Sequence, residues 1–201
     1  MRKTQNETLP DYDLAIIGAS FAGLVAARTA AHRGLKVVVI DSKTEPGARV
    51  RTTGILVKEA IDECDVPSAL TRKIPAVRLY TPNGKHTDLT APGYYFLATD
   101  TAAIMRWLAR EAMRAGAHMM FGARFTGANQ HETHVSLHGL DMTARYILGA
   151  DGAKSSVAKT FNLGRNTEFM IGMETEYEET PTVDPDYLHC FIDTKLAPGY
   201  L

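Results

Sequence analysis

The chain has 201 residues, 45% of them hydrophobic and 22% charged, and its 22 basic and 23 acidic side chains leave a formal net charge of −1. That length supports one full core and part of a second. So even a balance of charge argues against a nucleic-acid partner and against a polybasic membrane-surface patch. Cys64 and Cys190 stand far apart with no CxxC spacing, so neither a disulfide framework nor a zinc site is expected, and a reducing cytoplasm is the default compartment. Residues 1–10 are polar and lack the apolar segment of a signal peptide, so they read as a loose leader. No run approaches the length of a membrane span.

The stretch from Asp13 to Asp41 reads as one βαβ unit: an apolar run (Leu14 to Ile17), a glycine turn, an Ala-rich helical pattern, a stop at Gly34, and a second apolar run ending in an acid. A helix that starts directly after a strand directs its unpaired N–H groups and the positive end of its dipole at whatever lies above the turn. A dinucleotide pyrophosphate suits that position. Gly18 permits the tight turn and Gly23 permits close helix packing, while Asp41, followed by Ser42, stands where a carboxylate takes the hydroxyls of an adenosine ribose. The turn reads Gly18, Ala19, Ser20, Phe21, Ala22, Gly23, with Ser20 at the place of the usual second glycine; its hydroxyl can donate to a phosphate oxygen. An acid at the strand end disfavours a 2′-phosphate, which points to FAD or NAD over NADP.

After Asp41, Pro46 and Gly47 break structure, and a helical pattern through Ile55, Leu56, Glu59, Ala60 and Ile61 follows Gly54. Arg49 and Arg51 alternate in the intervening segment, placed either to reach phosphates or to sit as solvated loop residues. AVRLYTPNGKHTDL reads as a hairpin about Pro82, Asn83 and Gly84, and Tyr94, Tyr95 and Phe96 as a short apolar strand, favoured as core packing over a flavin-stacking platform. From Thr99 or Asp100 as N-cap, a helix runs through Ile104, Met105, Leu108, Ala112 and Met113 to Gly116, with Trp107 as a packing residue.

AHMMFGARFTG reads as a third strand of the nucleotide sheet, and THVSLH and ARYILGAD as a pair joined at Gly139. His134 and His138, on one face of an extended strand, would lie about 13 Å apart, too far to share a metal ion, and no metal site is expected there. The strand ending in ILGAD passes through Gly149, Ala150, Asp151 and Gly152 into a helix near Ser155, a small-residue loop that lets backbone approach a phosphate or a ribityl chain. Downstream, Glu168 to Met173 is strand-like, Glu174, Glu176 and Glu178 alternate as on a solvated edge strand, and YLHCFID places His189 and Cys190 on opposite faces.

Together, GASFAG with Asp41 and GADGAKS resemble the two signatures of the FAD-dependent monooxygenase and geranylgeranyl reductase superfamily, which has the para-hydroxybenzoate hydroxylase-like fold. The second signature, GADGxxS, is matched by Gly149, Ala150, Asp151, Gly152 and Ser155. ARVRTTGIL, from Ala48 to Leu56, is similar to the family's segment in which paired arginines approach the pyrophosphate and flavin, which assigns Arg49 and Arg51 to that role. Three departures stand out. Thr101 follows Asp100 where the family commonly has arginine, Ala158 and Lys159 stand where arginine is usual after the second signature, and the downstream Gly and Asp motif before a proline is not in the chain.

The resemblance implies an α/β fold: a Rossmann-like FAD-binding domain with a mostly parallel sheet (11–75 and 99–165) plus part of an antiparallel substrate domain (76–98 and 166–201). It implies an FAD-dependent oxidoreductase, with NAD(P)H as reductant and a small hydrophobic, lipid-like or aromatic substrate. The APGYL ending and YYF lean towards carbon–carbon double-bond reduction, with hydroxylation as the alternative. An ending at Leu201 reads as a cut within a domain, which keeps a non-catalytic FAD-binding fragment in play; a plain NAD-dependent dehydrogenase is the other rival, and it would not need GADGAKSS.

Overall fold

The computed structural model describes residues 10–175, 183–196 and 199. In chain order the elements are β1 (Tyr12–Ile17), α1 (Phe21–His32), β2 (Val37–Asp41), β3 (Ile55–Val57), α2 (Lys58–Cys64), β4 (Thr71–Ile74), β5 (Ala76–Tyr80) and β6 (His86–Thr90). They continue as β7 (Phe96–Thr99), α3 (Thr101–Arg114), β8 (His118–Phe121), β9 (Ala128–Gln130), β10 (Val135–Leu137), β11 (Met142–Gly149), α4 (Ser156–Thr160) and β12 (Tyr187–Phe191). The chain divides into two compact units, residues 1–50 with 105–170 and residues 51–104 with 171–201.

The first unit is built on a six-stranded sheet in the order β8-β2-β1-β11-β10-β9. The four strands β8, β2, β1 and β11 run parallel, and β10 and β9 continue the sheet antiparallel. Strands buried on both faces read as unbroken β-branched runs, which is why VVVI in β2 and AII in β1 are almost wholly inaccessible. Ile40 is 0% exposed, and its truncation to alanine costs about 2 to 5 kcal/mol through lost transfer energy and a cavity.

Helix α1 covers β1 and β2 with a stripe of small residues, Gly23, Leu24, Ala27, Ala30 and Ala31. Small side chains let its axis lie close to the sheet. It ends where Gly34 adopts φ +84°, and the Gly34 and Leu35 amides donate to the Ala31 and Ala30 carbonyls. Helix α3 begins where the Asp100 carboxylate accepts the Ala103 amide at 3.0 Å, so Asp100 is the cap. Ile104, Met105, Leu108, Ala109 and Ala112 form its buried stripe, and it closes at Gly116 with φ +103°. The Arg28 guanidinium lies 5.8 Å from the Trp107 ring centre, in keeping with a packing role for Trp107.

The second unit holds two three-stranded sheets, β3-β7-β4 and β12-β5-β6. β5 and β6 form the expected hairpin, closed by the Thr81 amide donating to the Lys85 carbonyl across Gly84. On one face the Arg78 guanidinium donates two hydrogen bonds to Asp88, at 2.6 and 2.8 Å, and lies 4.0 Å over the Tyr187 ring. Tyr80 stacks on Phe191 with ring centres 4.4 Å apart, and its hydroxyl is 2.9 Å from His189 Nδ1. The other ring nitrogen of His189 is 2.8 Å from the Asp184 carbonyl, which can only accept, so that nitrogen carries a proton. Cys190 lies on the opposite face, as alternation requires, and burial pushes its thiol pKa up.

Several local expectations shift. Ile55–Val57 is a strand paired with β7, and only from Lys58 does the helical pattern take hold. The strand expected at Tyr94 begins at Phe96, and AHMMFGARFTG yields a strand only over His118–Phe121. Polar Ala128–Gln130 forms an unexpected edge strand because its partner β10 supplies the ladder. Glu168 to Met173 carries no regular structure, so the strand expected there does not form. Glu176, Glu178 and most of APGYL lie outside the described residues.

The candidate dinucleotide site

The site is built where β1 and β11 end side by side. Their register pairs Ile17 with Gly149, so the turn that begins at Gly18 and the loop that begins at Ala150 leave the sheet as neighbours. The Ala150 amide donates to the Ile17 carbonyl at 2.8 Å, and the Gly18 amide donates to the Ile40 carbonyl at 2.8 Å. Gly18 has φ +111°, and a Cβ on it would lie 2.3 Å from the Ala150 carbonyl oxygen. A Cβ on Gly23 would lie 1.9 Å from the Gly18 carbonyl oxygen. Both positions therefore admit only glycine, for reasons of backbone approach.

Ser20 is the N-cap of α1 in extended backbone, and its hydroxyl makes no capping bond. The α1 carbonyl–amide ladder starts with Leu24 donating to Ser20 at 2.9 Å. The amides of Phe21, Ala22 and Gly23 thus lie in the first turn without intrahelical partners, and no acidic side chain occupies that turn. An anion is what such a turn accepts.

Asp41 reaches back to the same turn. One carboxylate oxygen accepts the Ala19 amide at 2.7 Å and the other accepts the Lys43 amide at 2.8 Å. Charge-assisted bonds of this kind fix the carboxylate, yet each oxygen keeps a lone pair for a ribose hydroxyl. Ser42 beside it is exposed.

In the second signature the side chains turn to the helix that follows and leave the backbone to face the Gly18 turn. The Asp151 carboxylate accepts the Ser155 hydroxyl at 2.6 Å, the Ser156 amide at 2.5 Å and the Val157 amide at 3.2 Å, and Ser155 in turn accepts the Ala158 amide at 3.0 Å. Asp151 and Ser155 together cap α4. Gly149 lets that helix close in, since a Cβ there would lie 2.9 Å from Val157 Cβ. What this loop offers to the Gly18 turn is backbone, at Ala150 and Asp151. The signal that could have disclosed the cap was the Asp151-x-x-x-Ser155-Ser156 run itself, an acid placed just ahead of a short helix.

Arg49 is exposed, adopts φ +46°, and has no ion-pair partner among the described residues. Arg51 opens the second unit and is likewise exposed. Gly18 to Gly23, Asp41, Ser42, Arg49, Gly149 to Gly152 and Ser155 all fall in the first unit. Missed by sequence reasoning was Lys43, whose main-chain amide holds half of the Asp41 carboxylate.

A family model described as FAD binding domain matches residues 11–200. The chain belongs to the FAD binding domain family. Within this FAD-binding family, it is 29% identical over 204 residues to the digeranylgeranylglycerophospholipid reductase of Methanosarcina acetivorans, covering 94% of this chain and 50% of that protein. A protein of Methanosarcina barkeri, named for its place in the nifH2 5′ region, is 31% identical over 167 residues, covering 76% of this chain and 88% of its own. A geranylgeranyl bacteriochlorophyll reductase-like protein from Thermoplasma acidophilum superposes with a TM-score of 0.72 at 22% identity, over 90% of this chain and 50% of that one, a likeness of fold. The chain spans about half the length of the reductases it matches. Among the described residues, no helix is long and apolar enough to cross a membrane.

The residues present fit the dinucleotide. A close-packed glycine turn, an uncapped first turn without acid and a carboxylate with spare lone pairs are the three features an ADP moiety requires.

Proposed function

We propose that the first unit binds FAD and serves an FAD-dependent oxidoreductase that reduces carbon–carbon double bonds of a hydrophobic, isoprenoid-like substrate, with NAD(P)H as reductant. The observation that carries the reading is the approach of Gly18 to Ala150, which makes one surface of two loops more than 130 residues apart in sequence. A plain NAD-binding βαβ unit has no use for the second loop.

In this reading the amides from Ser20 to Gly23 and the Ser20 hydroxyl hold the pyrophosphate, and Arg49 adds a positive charge. Asp41 and Ser42 take the adenosine ribose. The main chain of Gly149 to Gly152 lies along the ribityl portion, with Asp151 and Ser155 keeping that loop in shape. When bound, FAD supplies a two-electron redox centre that takes hydride from a nicotinamide and delivers it to substrate. The segments 76–98 and 166–201 are assigned to the substrate side. The substrate class is supported by the printed name of the Methanosarcina acetivorans relative, a reductase of a digeranylgeranylglycerophospholipid.

The test begins with colour. Purified chain refolded or expressed with excess FAD should hold flavin at one equivalent and bleach anaerobically with NADPH or NADH. A colourless chain that binds NAD alone rejects the proposal. A chain that holds FAD but never bleaches leaves cofactor binding standing and rejects the redox role.

A further inference from the structure

The segment that carries Arg49 and Arg51 is held by its ends. Residues 49–53 make no hydrogen bond with any other described residue, and Arg49 stands in the left-handed region at φ +46°. A non-glycine residue keeps such a conformation only where its surroundings fix the chain. Upstream the hold is slight, an Ala48 amide donating to the Glu45 carbonyl at 3.4 Å. Downstream it is firm. The Gly54 carbonyl accepts both the Thr99 amide at 2.9 Å and the Thr99 hydroxyl at 2.8 Å.

A second hydroxyl stands behind the first. Thr99 has one hydroxyl proton and directs it at Gly54, a carbonyl that can only accept, so the 2.8 Å bond between the Thr99 and Thr101 hydroxyls is donated by Thr101. Hydrogen bonds in such a chain polarise one another, which strengthens the last of them. Thr101 is 9% exposed and is the one buried polar side chain among the described residues. Gly54 is buried as well, at φ +65°, and a Cβ on it would lie 2.3 Å from Thr101 Oγ1 and 3.3 Å from Thr99 Oγ1. Glycine and threonine pair are thus fitted to one another. Helix capping does not account for them, because the Asp100 carboxylate already caps α3. What the two buried hydroxyls hold is a single carbonyl, three residues after Arg51 and five after Arg49.

We propose that Thr99 and Thr101 are positioning residues for the arginine segment of the FAD site: the hydroxyl pair fixes Gly54, and with it the course of the chain that brings Arg49 to the pyrophosphate. This rests on the FAD reading above, and the test separates the two.

Thr101→Val removes the hydroxyl and keeps the shape, whereas Thr101→Ser keeps the hydroxyl. In the 201-residue protein without cofactor, brief trypsin digestion read by mass spectrometry should cut after Arg49 and Arg51 severalfold faster in Thr101→Val than in wild type or Thr101→Ser, with the cut after exposed Arg165 unchanged as internal reference. With FAD, Thr101→Val should weaken binding severalfold and flatten its dependence on ionic strength, as Arg49→Gln does, because a lost charge contact removes the part of the affinity that salt screens. Thr101→Ser should restore both. Added to Arg49→Gln, Thr101→Val should cause no further loss. If the valine variant does not fold, Thr101→Ala is read in its place.

Unchanged cutting after Arg49 and Arg51, a binding loss equal at low and high salt, or full additivity with Arg49→Gln overturns the proposal and leaves FAD binding standing. Wild-type affinity in Arg49→Gln overturns it together with the place of that arginine in the FAD reading. A chain that holds no FAD rejects the functional reading and this proposal with it.

Discussion

Gly18 and Ala150 belong to loops from neighbouring parallel strands, and a single added methyl on Gly18 would stand 2.3 Å from the Ala150 carbonyl oxygen. Gly18→Ala should therefore fail twice. An alanine at φ +111° is strained by about 1 to 3 kcal/mol, and the clash is with backbone, which has no rotamer by which to escape. The expected result is a lower thermal midpoint and loss of FAD retention together. Gly34→Ala is the control: its φ is also positive, at +84°, but nothing lies within 4 Å, so it should lose stability while still holding flavin.

Asp41 should be intolerant even of asparagine. Its two oxygens accept from two different amides, Ala19 and Lys43, and an asparagine side chain has only one acceptor oxygen. The –NH2 group would confront whichever amide is left. Asp41→Asn and Asp41→Ala should each weaken FAD binding by about 1 to 3 kcal/mol, measured as a dissociation constant by flavin fluorescence. An unchanged constant removes Asp41 from the site.

For Asp151 the expectation is the reverse. Because its carboxylate is occupied by Ser155, Ser156 and Val157, Asp151→Ala should first cost stability, by about 1 to 2 kcal/mol as for a lost helix cap. Ser155→Ala should cost about 1 kcal/mol by the same route. Denaturant melts of the apo-protein measure this without any flavin present. A variant with full apo-protein stability and weakened FAD binding would instead return Asp151 to direct contact with the ribityl chain.

Acid should weaken both units through one carboxylate each. Backbone and side-chain hydrogen bonds from Thr143 hold the Asp11 pKa below its ordinary 3.8, and hydrogen bonding to the Arg78 guanidinium does the same for Asp88. A carboxyl whose pKa is lower folded than unfolded contributes stability above its unfolded value and loses it as pH falls through the folded one. The wild type should thus lose stability progressively from about pH 5 downwards. Asp11→Asn with Asp88→Asn should start lower at neutral pH and show a shallower decline, read as thermal midpoint against pH.

Much of the first unit was legible because its signals are local. The unbroken VVVI run, the glycines that end α1 and α3 and the acid closing β2 each follow from backbone sterics or burial at that place in the chain. Where pairing is non-local, the pattern misled. Ile55 and Leu56 have helical spacing, yet β7 recruits them into a sheet, and Ala128 to Gln130 have no strand signature at all until β10 is laid beside them. The site divides along the same line. The Gly18 turn and Asp41 could be read directly, whereas the occupation of Asp151 by its own helix depends on where α4 begins, and Lys43 contributes only a main-chain amide, which no side-chain pattern encodes.

The carboxylate of Asp41 grips the amide of Ala19, so the residue proposed to select the nucleotide is also a brace for the loop proposed to carry its phosphates. Evolution or an engineer wishing to switch this scaffold to a 2′-phosphorylated cofactor could not do so by exchanging one acid for a basic or neutral side chain. The same exchange would let the loop go slack, and a successful conversion would have to invent a new strut for Ala19 at the same time.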